Sequence, residues 1–273
     1  MPEGRARTGE IGAMSSDRRR VEQKLSFVRP RKQQRLATIA IEQGVIEVDL
    51  ARTALLVIDM QNDFLHADGW FPRSGSDPSA ARALAPRINR LTSAGRTAGL
   101  PVLWVNWGVR ADCANLSPGL LEKGRLHGGR PGYGEPSPSG RGGIVVRDQW
   151  GAAVSDELTV GPDDLLVHKH RFSGFWDNEL DSVLRNRDVT TLVFAGINTD
   201  RCVFATLTDA SFLGYDCVLL SDVVATPSPA YVTDAVHYLV DLLYGVVATS
   251  DALISALGEP APNLRPLTHR SLP

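Results

Sequence analysis

The sequence predicts an α/β protein, a three-layer Rossmann-like sandwich built on a six-stranded parallel sheet in the order 3-2-1-4-5-6 with helices on both faces. Three observations point there. Short apolar runs rich in β-branched residues alternate with stretches of helical periodicity, the pattern of βαβ units joined by right-handed crossovers. Runs such as Thr53-Ala-Leu-Leu-Val-Ile are apolar at every position, as expected of strands covered on both faces. Asp59, Lys169 and Cys202 stand at or just after the ends of three such runs, at the carboxyl edge where open α/β sheets bind ligands.

The elements follow in order. The first strand is Thr53 to Asp59. Asp77 to Gly99 reads as one helix, with Asp77 as its cap, Pro78 at its first position and Leu84, Ile88 and Leu91 on one face. Pro101 to Asn106 is the second strand. From Gly108 to Gly143 glycines and prolines crowd together with few apolar residues, so this is a long excursion that covers one end of the sheet. Asp164 to Lys169 is the third strand, followed by a helix over 178–186 and a fourth strand, Thr191 to Ala195. After Gly196 and the polar turn Asn198-Thr199-Asp200, Val203, Leu207 and Ala210 recur at helical spacing, so Cys202 falls in the first turn of a helix capped by Asn198 or Asp200. Asp216 to Ser221, a helix over 229–243, Val246 to Thr249 and a last helix ending near Gly258 complete the pattern.

Length and charge set the frame. A chain of 273 residues, 43% hydrophobic and 22% charged, suits one large domain, expected over 36–258. Residues 1–35 hold ten Lys or Arg against four acids, so a net +6 there faces −8 over the remainder. The basic segment has no apolar core of the length a secretory signal needs, and it reads as a solvated, disordered N-terminal arm. Residues 259–273 read as a Pro-rich tail. The acidic body is a poor match for nucleic acid, and no apolar stretch is long enough to span a bilayer as a helix. Three cysteines without regular spacing argue against a disulfide framework and for a reducing, cytoplasmic setting.

A free cysteine is most often a small buried hydrophobe, but Cys202 has a position suited to more. Backbone N–H groups and the dipole at a helix start favour an anion, which lowers a thiol's pKa toward the nucleophilic thiolate and also holds an oxyanion. With strands one and four adjacent in the expected order, Asp59 lies beside Cys202 and can exchange a proton with it, and the charge of Lys169 favours both ionised forms. His168 and His170 flank Lys169, and alternation along a strand points both away from the lysine's face.

The segments Ala54-Leu-Leu-Val-Ile-Asp59-Met-Gln-Asn-Asp-Phe64, Lys169 with Arg171-Phe-Ser-Gly-Phe-Trp176, and Gly196-Ile-Asn-Thr-Asp-Arg-Cys202-Val203 resemble those of the isochorismatase-like cysteine hydrolases. The resemblance spans about residues 50 to 257. It implies a triad of Asp59, Lys169 and Cys202, and a cis peptide between Ile197 and Asn198 that turns the backbone N–H groups of Asn198 and Cys202 toward an oxyanion. The stretch from Arg171, together with Trp150 and Asp156-Glu157-Leu158, is most similar to the ureidoacrylate amidohydrolase branch. This implies hydrolysis of a C–N bond in a small ureido, carbamoyl or amide substrate through a thioester. Phe64, Asn106, Trp107, Trp150, Phe175, Trp176 and Arg201 are the candidate substrate contacts, as flat apolar walls, amide partners and a carboxylate clamp. Asp200 and Arg110 are further polar candidates near that pocket.

Two departures bear on the substrate: Asn198-Thr199-Asp200-Arg201 precedes the cysteine where Ala-Thr-Asn-Val is the family's pattern, and Phe64 occupies a tyrosine-like position. Where nicotinamidases carry an Asp-x-His metal site, this chain reads Asn106-Trp107-Gly108-Val109-Arg110, so neither a catalytic metal nor another cofactor is expected. The alternatives are a nicotinamidase-type or other small-amide hydrolase, a vinyl-ether hydrolase of isochorismatase type, which does not need the cysteine, and a non-catalytic binding module. The resemblance also implies a homo-oligomer, a dimer or tetramer.

Overall fold

The computed structural model describes residues 27–125 and 130–258. Most of the expected arm, residues 1–26, and the expected tail, 259–273, lie outside the described residues. Among the described residues eight strands are present: β1 (Leu36–Ile41), β2 (Gly44–Asp49), β3 (Thr53–Ile58), β4 (Val102–Trp107), β5 (Leu165–Lys169), β6 (Thr191–Ile197), β7 (Asp216–Ala225) and β8 (Val246–Ala248). Nine α-helices accompany them among the described residues: α1 (Asn62–Leu65), α2 (Trp70–Arg73), α3 (Ser79–Arg82), α4 (Ala85–Thr97), α5 (Pro118–Gly124), α6 (Leu180–Asn186), α7 (Phe204–Phe212), α8 (Ala230–Leu239) and α9 (Ser250–Gly258).

The strands form one mixed sheet in the order β2-β1-β8-β7-β6-β3-β4-β5. The expected six-stranded, all-parallel sheet is thereby corrected. The strands from β3 onward pair in parallel, and an antiparallel hairpin, β1–β2, extends the sheet beyond β8 through Ile41 and Ala248. Strand order reverses between β3 and β6. Every residue of β3, β4 and β6 is buried, which is why these strands are apolar throughout. Right-handed crossovers running in opposite directions from that reversal carry their helices to opposite faces. One face bears α4, packed with α9, and the other bears α7, packed on β7.

The single helix expected over 77–99 is two. Asp77 does accept a hydrogen bond from the Ser79 amide at 2.9 Å, but α3 ends at Arg82 and α4 restarts at Ala85. Pro86 has no N–H to donate to the carbonyl one turn back, and its ring crowds that carbonyl, so the helix breaks there. The excursion crosses the carboxyl end of the sheet, contains α5, and is stitched to the body where Val109 bridges Val146.

Candidate active site

The site forms where β3 and β6 diverge. Gly196 pairs with Ile58 across these strands, and a Cβ on Gly196 would run into the Ile58 carbonyl oxygen. Its φ of +110° is likewise one that side chains resist. Glycine therefore lets β6 approach β3 closely just before both strands end. The next peptide, Ile197–Asn198, is cis, and the chain enters a π-helical turn, Thr199–Val203, that leads into α7. Cys202 thus sits in a π-turn rather than in the first turn of an α-helix. Neither expected cap is formed: Asn198 makes no side-chain cap bond. Asp200 accepts instead from the hydroxyls of Thr226 at 2.6 Å and Ser228 at 2.8 Å, tying the π-turn to the loop after β7.

Asp59 follows β3 with φ of +54°, a left-handed conformation uncommon for a residue with a side chain. It is fixed there by its amide, which donates to the Val105 carbonyl at 3.1 Å, and by the Trp107 amide, which donates to Asp59 Oδ1 at 3.0 Å. Gln61 supports the same point: its Oε1 accepts from the Trp107 amide and its Nε2 donates to the Trp107 and Ala152 carbonyls.

Lys169 ends β5, two strands from β3, and is completely buried. Neighbouring strands lie about 4.8 Å apart, so its long side chain must cross β4 to reach Asp59. It does so over the Trp107 ring, with Nζ 4.1 Å from the ring centroid and 3.0 Å from Asp59 Oδ2. A third contact, to the Arg171 carbonyl at 3.2 Å, holds the ammonium. Cys202 is 4% exposed, and its Sγ accepts from Trp107 Nε1 at 3.4 Å.

The electrostatics differ from the sequence expectation. Burial raises the Asp59 carboxyl above its ordinary range, and Lys169, Cys202 and the Trp107 amide pull it only part of the way back. The thiol of Cys202 is pushed up to about 12, first by burial and then by the charge of Asp59, against smaller opposing effects of Lys169 and the Trp107 N–H. The expected lowering of its pKa toward a thiolate is therefore corrected: desolvation and the charge of Asp59 outweigh Lys169 and the Trp107 N–H.

Asp59 and Cys202 face a cavity of about 860 Å³. Of the sequence candidates, Phe64, Trp107, Arg201, Ile197 and Asn198 line it. Other candidates do not. Asn106 is buried within β4, donating to the Ala152 carbonyl at 3.3 Å. Trp150 packs edge-on against His66 with Arg141 over its ring. Phe175 packs on Tyr215, and Trp176 is 58% exposed and donates to Asp209 at 2.6 Å. Arg110 pairs with Asp112 on the surface, and Asp200 is engaged by Thr226 and Ser228. These side chains sit near the site in sequence but are spent on packing and surface contacts.

Sequence reasoning missed Trp70, Phe71, Gly119, Glu122, Lys123, Tyr133 and Phe172, which complete the lining. Phe172 was within a quoted motif, while Lys123 and Tyr133 belong to the excursion, where no periodicity marks an inward face. His168 and His170 reach toward Asp148 and Asp177 at 3.8 and 3.7 Å, and burial lowers the pKa of both. Among the described residues no three His, Cys, Asp or Glu side chains group as a metal site would.

Comparison with known proteins shows the family. Residues 53–252 match the Isochorismatase domain. The chain is 34% identical over 224 residues to the ureidoacrylate amidohydrolase RutB of Methylobacterium radiotolerans, covering 79% of this chain and 83% of that protein. It is 31% identical over 237 residues to RutB of Rhizobium rhizogenes, covering 85% and 94%. Among solved structures, a cysteine hydrolase from Pseudomonas syringae pv. phaseolicola superposes with a TM-score of 0.64 at 26% identity, covering 77% of this chain and 94% of that one. N-carbamoylsarcosine amidase from Thermoplasma acidophilum gives a TM-score of 0.56 at 26% identity, covering 73% and 97%. With the domain match extending from β3 into α9, across every strand that carries the site, the chain belongs to the isochorismatase family of hydrolases.

Proposed function

We propose that this protein is a cysteine-dependent amidohydrolase that cleaves a C–N bond of a small ureido or carbamoyl compound through a thioester, with Cys202 as nucleophile, Asp59 as proton carrier and Lys169 as its fixed counter-charge. The observation that carries this reading is the buried Asp59–Lys169 pair, 3.0 Å apart, whose carboxylate lines the same cavity as Cys202. A carboxylate whose pKa is raised is a stronger base, and a thiol whose pKa is raised gives a stronger nucleophile once ionised. Proton transfer and attack therefore run together. The sulfhydryl proton passes to Asp59 as sulfur bonds to the scissile carbonyl carbon, and the oxyanion is received by the backbone N–H groups of Asn198 and Cys202. Collapse breaks the C–N bond, with the proton on Asp59 going to the leaving nitrogen. Water then attacks the thioester, losing a proton to Asp59, and the C–S bond breaks as that proton returns to sulfur.

Support for the substrate class comes from the RutB relatives and from the cavity, whose aromatic walls Phe64, Trp70, Phe71 and Trp107 suit a small planar group. Self-association into a homo-oligomer belongs to the same reading. The apolar side chains Phe212, Tyr231, Tyr238, Leu242 and Leu243 are exposed in this single chain, and a second copy would cover them. The test is a panel of ureido acids, carbamoyl compounds and simple amides read by ammonia release, with wild type and Cys202→Ala compared and the trapped adduct weighed by intact mass. Turnover by Cys202→Ala overturns the mechanism. Faster hydrolysis of nicotinamide than of every ureido acid, or loss of activity on chelation, replaces the substrate class with the nicotinamidase one.

A further inference from the structure

One wall of the cavity is supplied by the excursion: Gly119, Glu122 and Lys123 of α5, and Tyr133. Two features of this wall have no role in the chemistry above. Tyr133 is 8% exposed, its ring stacked on Trp107 at 4.7 Å and met edge-on by Trp70 at 5.5 Å. Among the described residues its hydroxyl forms no hydrogen bond, and it is not one of the fully buried polar atoms left without a partner. Burial, followed by the charges at Cys202 and Asp59, raises its pKa, so it stays a neutral donor. Tyr133 is also the one aromatic residue of the lining that carries a hydroxyl.

The second feature is lysine usage. Residues 36–258 contain only two lysines: Lys123 lines this cavity, and Lys169 is buried against Asp59, which lines it. Lys123 has no ion-pair partner among the described residues, whereas the neighbouring acid Glu122 faces Arg125 at 3.8 Å. The two features share one wall: Gly124, next to Lys123, lies so close to the Tyr133 ring that a Cβ there would run into it, and Lys123 and Tyr133 both line the cavity.

The geometry points to a carboxylate subsite: the Lys123 ammonium and the Tyr133 hydroxyl together hold the carboxylate of an anionic amide substrate whose scissile carbonyl lies at Cys202. This rests on the amidohydrolase reading. An oxygen anion accepts from both groups at once, and among the described residues neither group has another partner to give up. Selection for acids over neutral amides then comes from the excursion and is separate from bond cleavage.

The test measures, by calorimetry on Cys202→Ala, the affinities of 3-ureidopropionate and of its neutral amide. The acid is expected to bind more tightly. Tyr133→Phe should reduce that preference about tenfold, as for a hydrogen bond to a charged group, and Lys123→Met about fivefold, as for an exposed ion pair, with Lys123→Arg recovering most of the loss. Equal affinity for acid and amide, or equal losses for both compounds in the variants, overturns the subsite, the latter pointing to a merely structural wall. The two readings fail differently. Preference for another amide in the substrate panel overturns the ureido class, and the acid and neutral forms of that amide then decide the subsite by the same ratio.

Discussion

At Cys202, desolvation and the charge of Asp59 act together against the charge of Lys169, and they prevail. A thiol with a pKa near 12 ionises progressively more across the whole working range. Labelling of Cys202 by iodoacetamide in the unliganded protein should therefore climb roughly tenfold per pH unit between about pH 6 and 10. A plateau near neutrality, read by peptide mass spectrometry, would mean a resting thiolate and contradict this. Lys169 is the other half of the balance. Lys169→Met leaves Asp59 buried without its counter-charge, a change that costs about 3–5 kcal/mol when one partner of a buried pair is removed. Turnover should fall by about two orders of magnitude. The double variant Asp59→Asn/Lys169→Met should unfold at higher denaturant than Lys169→Met alone, and equal midpoints would show that the pair is not coupled. Asp59, Lys169 and Cys202 were legible because each ends or follows an apolar run. The role of Gln61, which clamps Trp107 from both its amide and its carbonyl, was not, since nothing in a sequence tells an inward glutamine from a solvated one.

Elements were legible where burial is two-sided and obscure where it is not. The runs that became β3, β4 and β6 are apolar throughout and were readable without ambiguity. The β1–β2 hairpin was not assigned, because its strands alternate weakly and its turn, Glu42-Gln43 before Gly44, lacks the Asn-Gly or Asp-Gly signal of a tight hairpin. Loop anchoring is similarly hidden. Burial opposes ionisation of Asp164, but bonds from Arg96, Trp104 Nε1 and the Gly161 amide prevail and hold its carboxyl below the ordinary range. A depressed folded-state pKa contributes stability that is present above the unfolded value, about 3.9, and is lost as pH falls through the folded one. Melting temperature should therefore drop below about pH 4, and Asp164→Asn should flatten that part of the profile while lowering stability at neutral pH. An unchanged acid limb would show that other carboxylates control it.

For the molecule as a whole, the boundary between arm and body is set by Arg35. Its amide donates to Asp49 Oδ1 at 2.9 Å and its guanidinium reaches the Ala98 and Leu50 carbonyls at 2.7 and 3.3 Å. A chain beginning at Gln34 should keep the turnover and melting temperature of the full chain, because the preceding residues are basic and poor in apolar side chains. A lower value of either would assign those residues a place on the body or on a second copy. Trp107, finally, touches nearly everything that matters here: its indole N–H meets the Cys202 sulfur, its face carries the Lys169 ammonium, and Tyr133 stacks on its ring. A sulfur at its N–H and an ammonium on its face make its emission sensitive to what Cys202 carries. Conversion of the thiol to a thioester changes the acceptor its N–H meets, and the step should register as a stopped-flow change in fluorescence that is missing in Trp107→Phe. The chain thus carries its own optical clock for acylation, readable without a labelled substrate.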